Sequence, residues 1–196
     1  MKNKVTALCA LFLCIGINSF GQNQPKSNRI RLGYLVTSNI NFLHTADSST
    51  DFKTDIGWGV GAICALNLNQ SLRLSLAPTL NFESHTLVDK ATNATFKLKD
   101  QNTFIPLKLD IRLFKNFSLI NGIEYLVVQS KQKEEIKLVR DNFLASVGAG
   151  YAFKFKYFTA VPEVSYRIGL NNAIEKSALS SGEVKRRAVS IGVKIM

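Results

Sequence analysis

Hydrophobic and polar residues alternate along most of this chain with a period of two. In "SLRLSLAPTLNFE", residues 71–83, Leu72, Leu74, Leu76, Pro78, Leu80 and Phe82 fall on one face, and Ser71, Arg73, Ser75, Ala77, Thr79, Asn81 and Glu83 on the other. In "IPLKLDIRLF", Ile105, Leu107, Leu109, Ile111 and Leu113 form the apolar row, with Pro106, Lys108, Asp110 and Arg112 between them. Successive side chains of a strand point to opposite faces, whereas a helix repeats every 3.6 residues, so this pattern predicts β-strands. Eight segments qualify, at roughly 30–42, 55–67, 71–83, 103–114, 117–128, 142–153, 157–169 and 186–196. The phase of the first slips near Ser38, which predicts a β-bulge there.

The links between these segments alternate in length. Long, polar links such as "LHTADSSTDFKT" and "SKQKEEIKLVRD" alternate with tight ones such as Lys115–Asn116 and residues 154–156. All long links therefore lie at one end of the sheet, and both termini of the strand series lie at the other. The expected fold is all-β: an eight-stranded antiparallel up-and-down barrel.

Alternation does not say which face is outside. A soluble lipocalin-like barrel hides its apolar face; a transmembrane barrel hides its polar one. Three features predict the second arrangement. The polar rows carry very small residues, Gly57, Gly59 and Gly61 on one strand and Ser146, Gly148, Gly150 and Ala152 on another, and an eight-stranded barrel has little interior room. The apolar rows are nearly free of charge over about ten residues, enough for a tilted strand to cross a bilayer. Aromatic residues collect towards strand ends (Phe42, Trp58, Phe82, Phe104, Phe117, Tyr151, Phe153, Phe158 and Tyr166), where interfacial girdles form.

The first residues do not share the pattern. "MKNKVTALCALFLCIGINSFGQ" has Lys2 and Lys4, an apolar run and a small-x-small ending, which predicts a signal peptide over 1–21 and a barrel domain over 22–196. Bulky Leu13 and Leu8 before Cys14 and Cys9 argue against lipidation. Beyond residue 21 only Cys64 remains, so the barrel domain has no internal disulfide. The formal charge of +11 loses two with Lys2 and Lys4.

With polar rows inside, the phase assigns ten charged residues to the lumen: Arg73, Glu83, Lys108, Asp110, Arg112, Glu124, Lys154, Glu163, Arg167 and Lys194. Buried charges are costly unless paired, so the expectation is a structural ion-pair network, with a narrow pore as the alternative. The long loops hold many lysines interspersed with acids, a solvated surface that could also attract lipid phosphates. His44 and His85 are the only histidines, at loop edges, and no spacing suggests a catalytic or metal site; no cofactor and no nucleic acid are expected.

"TFIPLKLDIRLF" resembles the "Pro-Leu-x-x-Lys" strand of the PorT-like outer-membrane barrel proteins of Bacteroidota. "DNFLASVGAGYAFKFKYFTAVPEVSYRIGLNN" resembles their closing segment, and the signal peptide ending in "GQ" is similar to others of that phylum. The resemblance covers most of residues 30–196. It implies an OmpA/OmpX-like eight-stranded barrel in the outer membrane, in contact with its lipid. It further implies a non-enzymatic, accessory role with protein components of envelope assembly or type IX secretion. A small outer-membrane pore and a soluble lipocalin-like binder are the other functions compatible with the residues. One departure is the last residue, Met196, where such barrels usually end in an aromatic.

Overall fold

A computed structural model describes residues 29–45, 50–89, 95–129, 139, 141–173 and 184–196; the expected signal peptide and parts of the long loops lie outside them. Among the described residues every regular element is a strand. Their pairing gives eight antiparallel barrel strands. In chain order these are β1 (Ile30–Thr45), β2 (Thr50–Lys53 and Asp55–Asn67), β3 (Leu72–Leu76 and Thr79–Asp89), β4 (Thr95–Arg112), β5 (Phe117–Val128), β6 (Asp141–Tyr151, continued by Phe153–Lys154), β7 (Thr159–Gly169) and β8 (Val184–Ile195). Each pairs with its sequence neighbour, and β8 closes on β1, so no edge is left open.

The two interruptions of β3 and β6 leave the register intact. At Ala77–Pro78 the proline has no N–H to give, yet Ala77 still donates to Pro106 O and Ala62 to Pro78 O, each at 3.2 Å. The interruption of β2 is different. Lys53 opposes Thr86 and Trp58 opposes Phe82, so five steps on β2 match four on β3. This bulge falls at Thr54, not at Ser38, where β1 pairs one-to-one with both neighbours. The apparent slip on β1 comes from Leu35, a buried hydrophobe on the inward row, and from Ser38, a polar residue on the outward row.

The stagger of the barrel follows from the register. Partner by partner, Leu32 leads to Cys64, Leu76, Leu107, Ile123, Ala145, Ile168, Arg187 and back to β1 at Phe42, ten positions above the start. With about 3.3 Å per residue and about 4.8 Å between strands, that offset tilts the strands about 41° from the axis.

The two faces of the wall are chemically opposite. Ile56, Trp58 and Val60 on β2, Leu76 on β3, Leu107 on β4, Ile123 on β5 and Val193 on β8 are exposed, while the residues between them are buried or packed inward. The apolar rows are thus outside, and an apolar-lined lipocalin-like cavity is not what the chain builds. Aromatics ring both ends of this outer surface. Trp58 stacks on Phe82 at 4.6 Å and Tyr125 lies 5.2 Å from Phe143 near the loop end; Tyr151 and Phe153 pair at 4.9 Å near the tight turns. Phe143 and Phe153 share β6; at about 3.3 Å per residue and about 41° tilt they are about 25 Å apart along the axis, the height of a membrane barrel's apolar band. Phe104 is not in either ring: it points inward, 3% exposed.

Candidate functional site

The chemistry of this chain is inside the barrel. Two inward apolar clusters set its frame. Leu35, Ile63, Ala65 and Ala77, with Met196 against them, fill the side of the bore near the tight turns, and Phe104, Leu126 and Leu144 meet nearer the loops. The charges sit between and around these clusters.

One chain of contacts crosses the bore. Asp110 on β4 faces Lys194 on β8 at 3.7 Å, and Lys194 holds Glu163 on β7 at 2.7 Å. Glu163 also accepts from Lys108 on β4 at 3.1 Å, and Lys108 lies 3.8 Å from Glu124 on β5. Glu124 takes Arg167 Nε at 3.0 Å. Arg167 then donates to Asn39 Oδ1 on β1 at 3.2 Å, and Asn39 donates to Asn81 Oδ1 on β3 at 2.9 Å. The Arg167 guanidinium also lies over the Phe104 ring at 5.0 Å. β4 and β8 are diametrically opposed in an eight-strand ring, so the Asp110–Lys194 contact spans the full width. A second crossing lies nearer the loops, where Arg186 on β8 approaches Glu83 on β3 at 3.4 Å and Asp100 on β4 at 3.9 Å, and Asn102 donates to Glu83 at 2.9 Å.

These groups are almost sealed from water: Lys108 and Lys194 are 1% exposed and Glu124 is 0%. Such burial is tolerable only because each charge has opposite charges beside it. Glycine makes the geometry possible. A side chain at Gly59 would collide with the Asn81 side chain and come within 2.9 Å of Thr37 Oγ1, and one at Gly122 would meet Cγ of Lys108 at 2.8 Å. The bare backbone at Gly122 is what lets the Lys108 stem lie against the wall.

Of the ten residues assigned to the lumen, seven (Glu83, Lys108, Asp110, Glu124, Glu163, Arg167 and Lys194) are buried in these networks. Arg73 and Arg112 are half-buried at the tight-turn mouth, where they bond Asn67 Oδ1 at 3.0 Å and Gln70 O at 2.9 Å. Lys154 follows the inward parity of β6 but lies past the rim and is exposed. Two members escaped the sequence reading. Asp100 lies outside the segment 103–114 that alternation predicts and Arg186 at the first residue of 186–196, yet counting back by twos from Lys108 and from Lys194 reaches both. Among the described residues the buried set is therefore Lys108, Arg167, Arg186 and Lys194 against Glu83, Asp100, Asp110, Glu124 and Glu163, one more acid than base, where the ten residues assigned from sequence hold six bases and four acids.

The side chains of His44 and His85 lie outside what the structure describes, and among the described residues no cluster of His, Cys, Asp or Glu is placed to hold a metal ion. Two small clefts open at the ends of the bore, of about 270 and 210 Å³ including space open to solvent. Neither encloses more room than about one water molecule needs.

No family model matches this sequence, and no curated protein matches it. Solved structures do. The chain is similar to the outer membrane protein OprG from Pseudomonas aeruginosa, with 12% identity over 85% of this chain and 91% of that one and a TM-score of 0.44. It is similar to the outer membrane protein AlkL in lipid bilayers, with 10% identity over 90% and 96% and a TM-score of 0.47. A Pseudomonas aeruginosa FadL homologue shares 14% identity over 87% of this chain and 48% of that one, with a TM-score of 0.35.

Proposed function

We propose that the chain is a non-enzymatic barrel of the outer membrane with a sealed lumen, acting as a PorT-like structural or accessory component of envelope assembly or type IX secretion in a bacterium of the Bacteroidota. The observation that carries the reading is the pair of buried ionic crossings, Asp110–Lys194 and Glu83–Arg186, set behind a continuous apolar outer wall. A bore bridged at two levels by desolvated ion pairs is rigid and shut. Such a barrel does its work through its rims and loops, which suits a scaffold for partners better than a conduit. The apolar wall and its aromatic rings suit lipid as the surrounding medium.

The test is recovery from native membranes. The full-length protein should stay with the outer-membrane fraction and need detergent for release, and crosslinks from its loops should capture envelope or secretion proteins. Release without detergent would refute membrane residence. Crosslinks confined to lipid and to copies of itself would refute the accessory role.

A second reading, a small pore, draws on the polar lining. Among the described residues Asn41 Nδ2, Ser146 Oγ and Ser165 Oγ are buried without a hydrogen-bond partner, as groups along a hydrated path would be. Purified barrel in planar bilayers decides between the two: steady single-channel currents would favour the pore, and a silent bilayer the sealed barrel.

A further inference from the structure

The tight-turn mouth of the barrel carries three arginines against one nearby acid of the lumen network, Asp110. Arg31, Arg73 and Arg112 occupy inward rows of β1, β3 and β4 at the last turn of the bore, all half-buried rather than sealed. Beyond the opposing charge of Asp110, Arg73 feels the like charges of both Arg31 and Arg112. The nearest carboxylate is Asp110, which sits opposite Arg73 in the register but is drawn deeper by Lys194 at 3.7 Å. Exposed Arg29, Lys115, Lys154 and Lys156 surround the same end. Among the described residues this end has no other Asp or Glu side chain.

The arginines are also held for recognition. Arg73 Nε donates to Asn67 Oδ1 at 3.0 Å and Arg112 Nη1 to Gln70 O at 2.9 Å, which tethers each guanidinium at one point. Each keeps further N–H groups for another acceptor, because a guanidinium has five. Asn67, Gln70, Ser71, Arg73, Arg112 and Ser118 line a shallow polar cleft of about 210 Å³, open side included, with Asp110 in its wall. Below it the bore is stopped by Leu35, Ile63, Ala65 and Ala77, so whatever enters remains at the mouth. Clustered like charges repel unless an anion joins them, and guanidinium forks match the oxygens of a phosphate group.

We propose that Arg73 and Arg112, backed by Arg31, form a binding site for a phosphate group at the tight-turn mouth. The phosphate can come from a soluble phosphorylated compound or from a lipid headgroup folded over the rim, and both present the same oxygens. The inference is independent of the accessory role, since it needs only the geometry of the mouth.

The experiment is calorimetric titration of the refolded full-length barrel in uncharged detergent. The probes are inorganic phosphate and dihexanoyl phosphatidic acid, with chloride and the phosphate-free dihexanoylglycerol as references. At least one phosphate probe should bind more tightly than its reference, and Arg73→Gln with Arg112→Gln should weaken it at least tenfold. Lys154→Gln with Lys156→Gln, on the exposed turn, should change it less than twofold. Binding of inorganic phosphate identifies a soluble source; binding of the lipid alone identifies the headgroup. The wild type supplies a check that needs no variant: phosphate or the lipid should protect Arg73 and Arg112 from phenylglyoxal more than it protects Arg29. Binding no tighter than the references, equal losses in the arginine and lysine variants, or absence of selective protection would each overturn the proposal.

Discussion

Replacing Glu163 with glutamine isolates the question of whether the bore is dry. Glu163 is the acid that two lysines share, at 2.7 Å to Lys194 and 3.1 Å to Lys108. Glutamine keeps its size and one acceptor oxygen but removes the charge. Lys194 is left with Asp110 at 3.7 Å, and Lys108 with Glu124 at 3.8 Å, a carboxylate that Arg167 already holds at 3.0 Å. Removing one partner of a buried pair costs about 3–5 kcal/mol. Because each lysine keeps a more distant acid, the low end applies, about 3 kcal/mol. Reversible urea unfolding in small vesicles measures it, and Trp58, the only tryptophan, reports the transition from its stack on Phe82 at 4.6 Å. Adding Lys108→Met removes one stranded cation and should restore about 1–3 kcal/mol as coupling between the two sites. A Glu163→Gln barrel within about 0.5 kcal/mol of wild type, the range of a surface change, would mean that water solvates these lysines, and the sealed-bore argument would fall.

Two further substitutions probe the two faces of the wall. Leu107→Arg places a charge on an outward residue that is 50% exposed, inside the band between the aromatic rings. In lipid it should cost about 2–4 kcal/mol by the same vesicle assay, and a cost near zero would show that this face meets water. Gly59→Ala adds a methyl where Asn81 and, at 2.9 Å, Thr37 Oγ1 already stand, so overpacking should cost about 1–3 kcal/mol; an unchanged midpoint would show that the wall is loose there.

The strands were readable in the sequence wherever lipid-type and lumen-type rows differ in polarity. Residues 71–83 and 103–112 needed nothing beyond parity. The reading failed where that contrast fades. β3 continues to Asp89 and β4 begins at Thr95, paired as far as Val88 with Thr95, although "SHTLVD" and "TFKLKD" look like loop. Above the apolar band the row that continues the lipid-type one turns polar, with Ser84, Thr86, Lys97 and Lys99, so the usual contrast is lost while the hydrogen bonds persist. That misreading hid Asp100. Leu35 produced the opposite error: the lumen near the tight turns is apolar, so an inward leucine looked like a change of phase. The cross-bore contacts of the site, such as Lys194 with Asp110, depend on a stagger that no single strand records.

That stagger is fixed by a seam with its own consequence. The strand that closes the ring is the last one made: Tyr34 pairs with Ile195, so almost the whole chain must be present before β1 has its second neighbour. Until then both terminal strands carry unpaired N–H and C=O groups, which are ruinous in hydrocarbon and adhesive in water. Folding is thereby tied to completion. A chain stopped short of β8 is not a smaller barrel but an open, sticky sheet, and the early contacts that loop-closure entropy favours cannot by themselves yield a particle that a membrane would accept. A closed barrel exists for a membrane to accept only once β8 has been made.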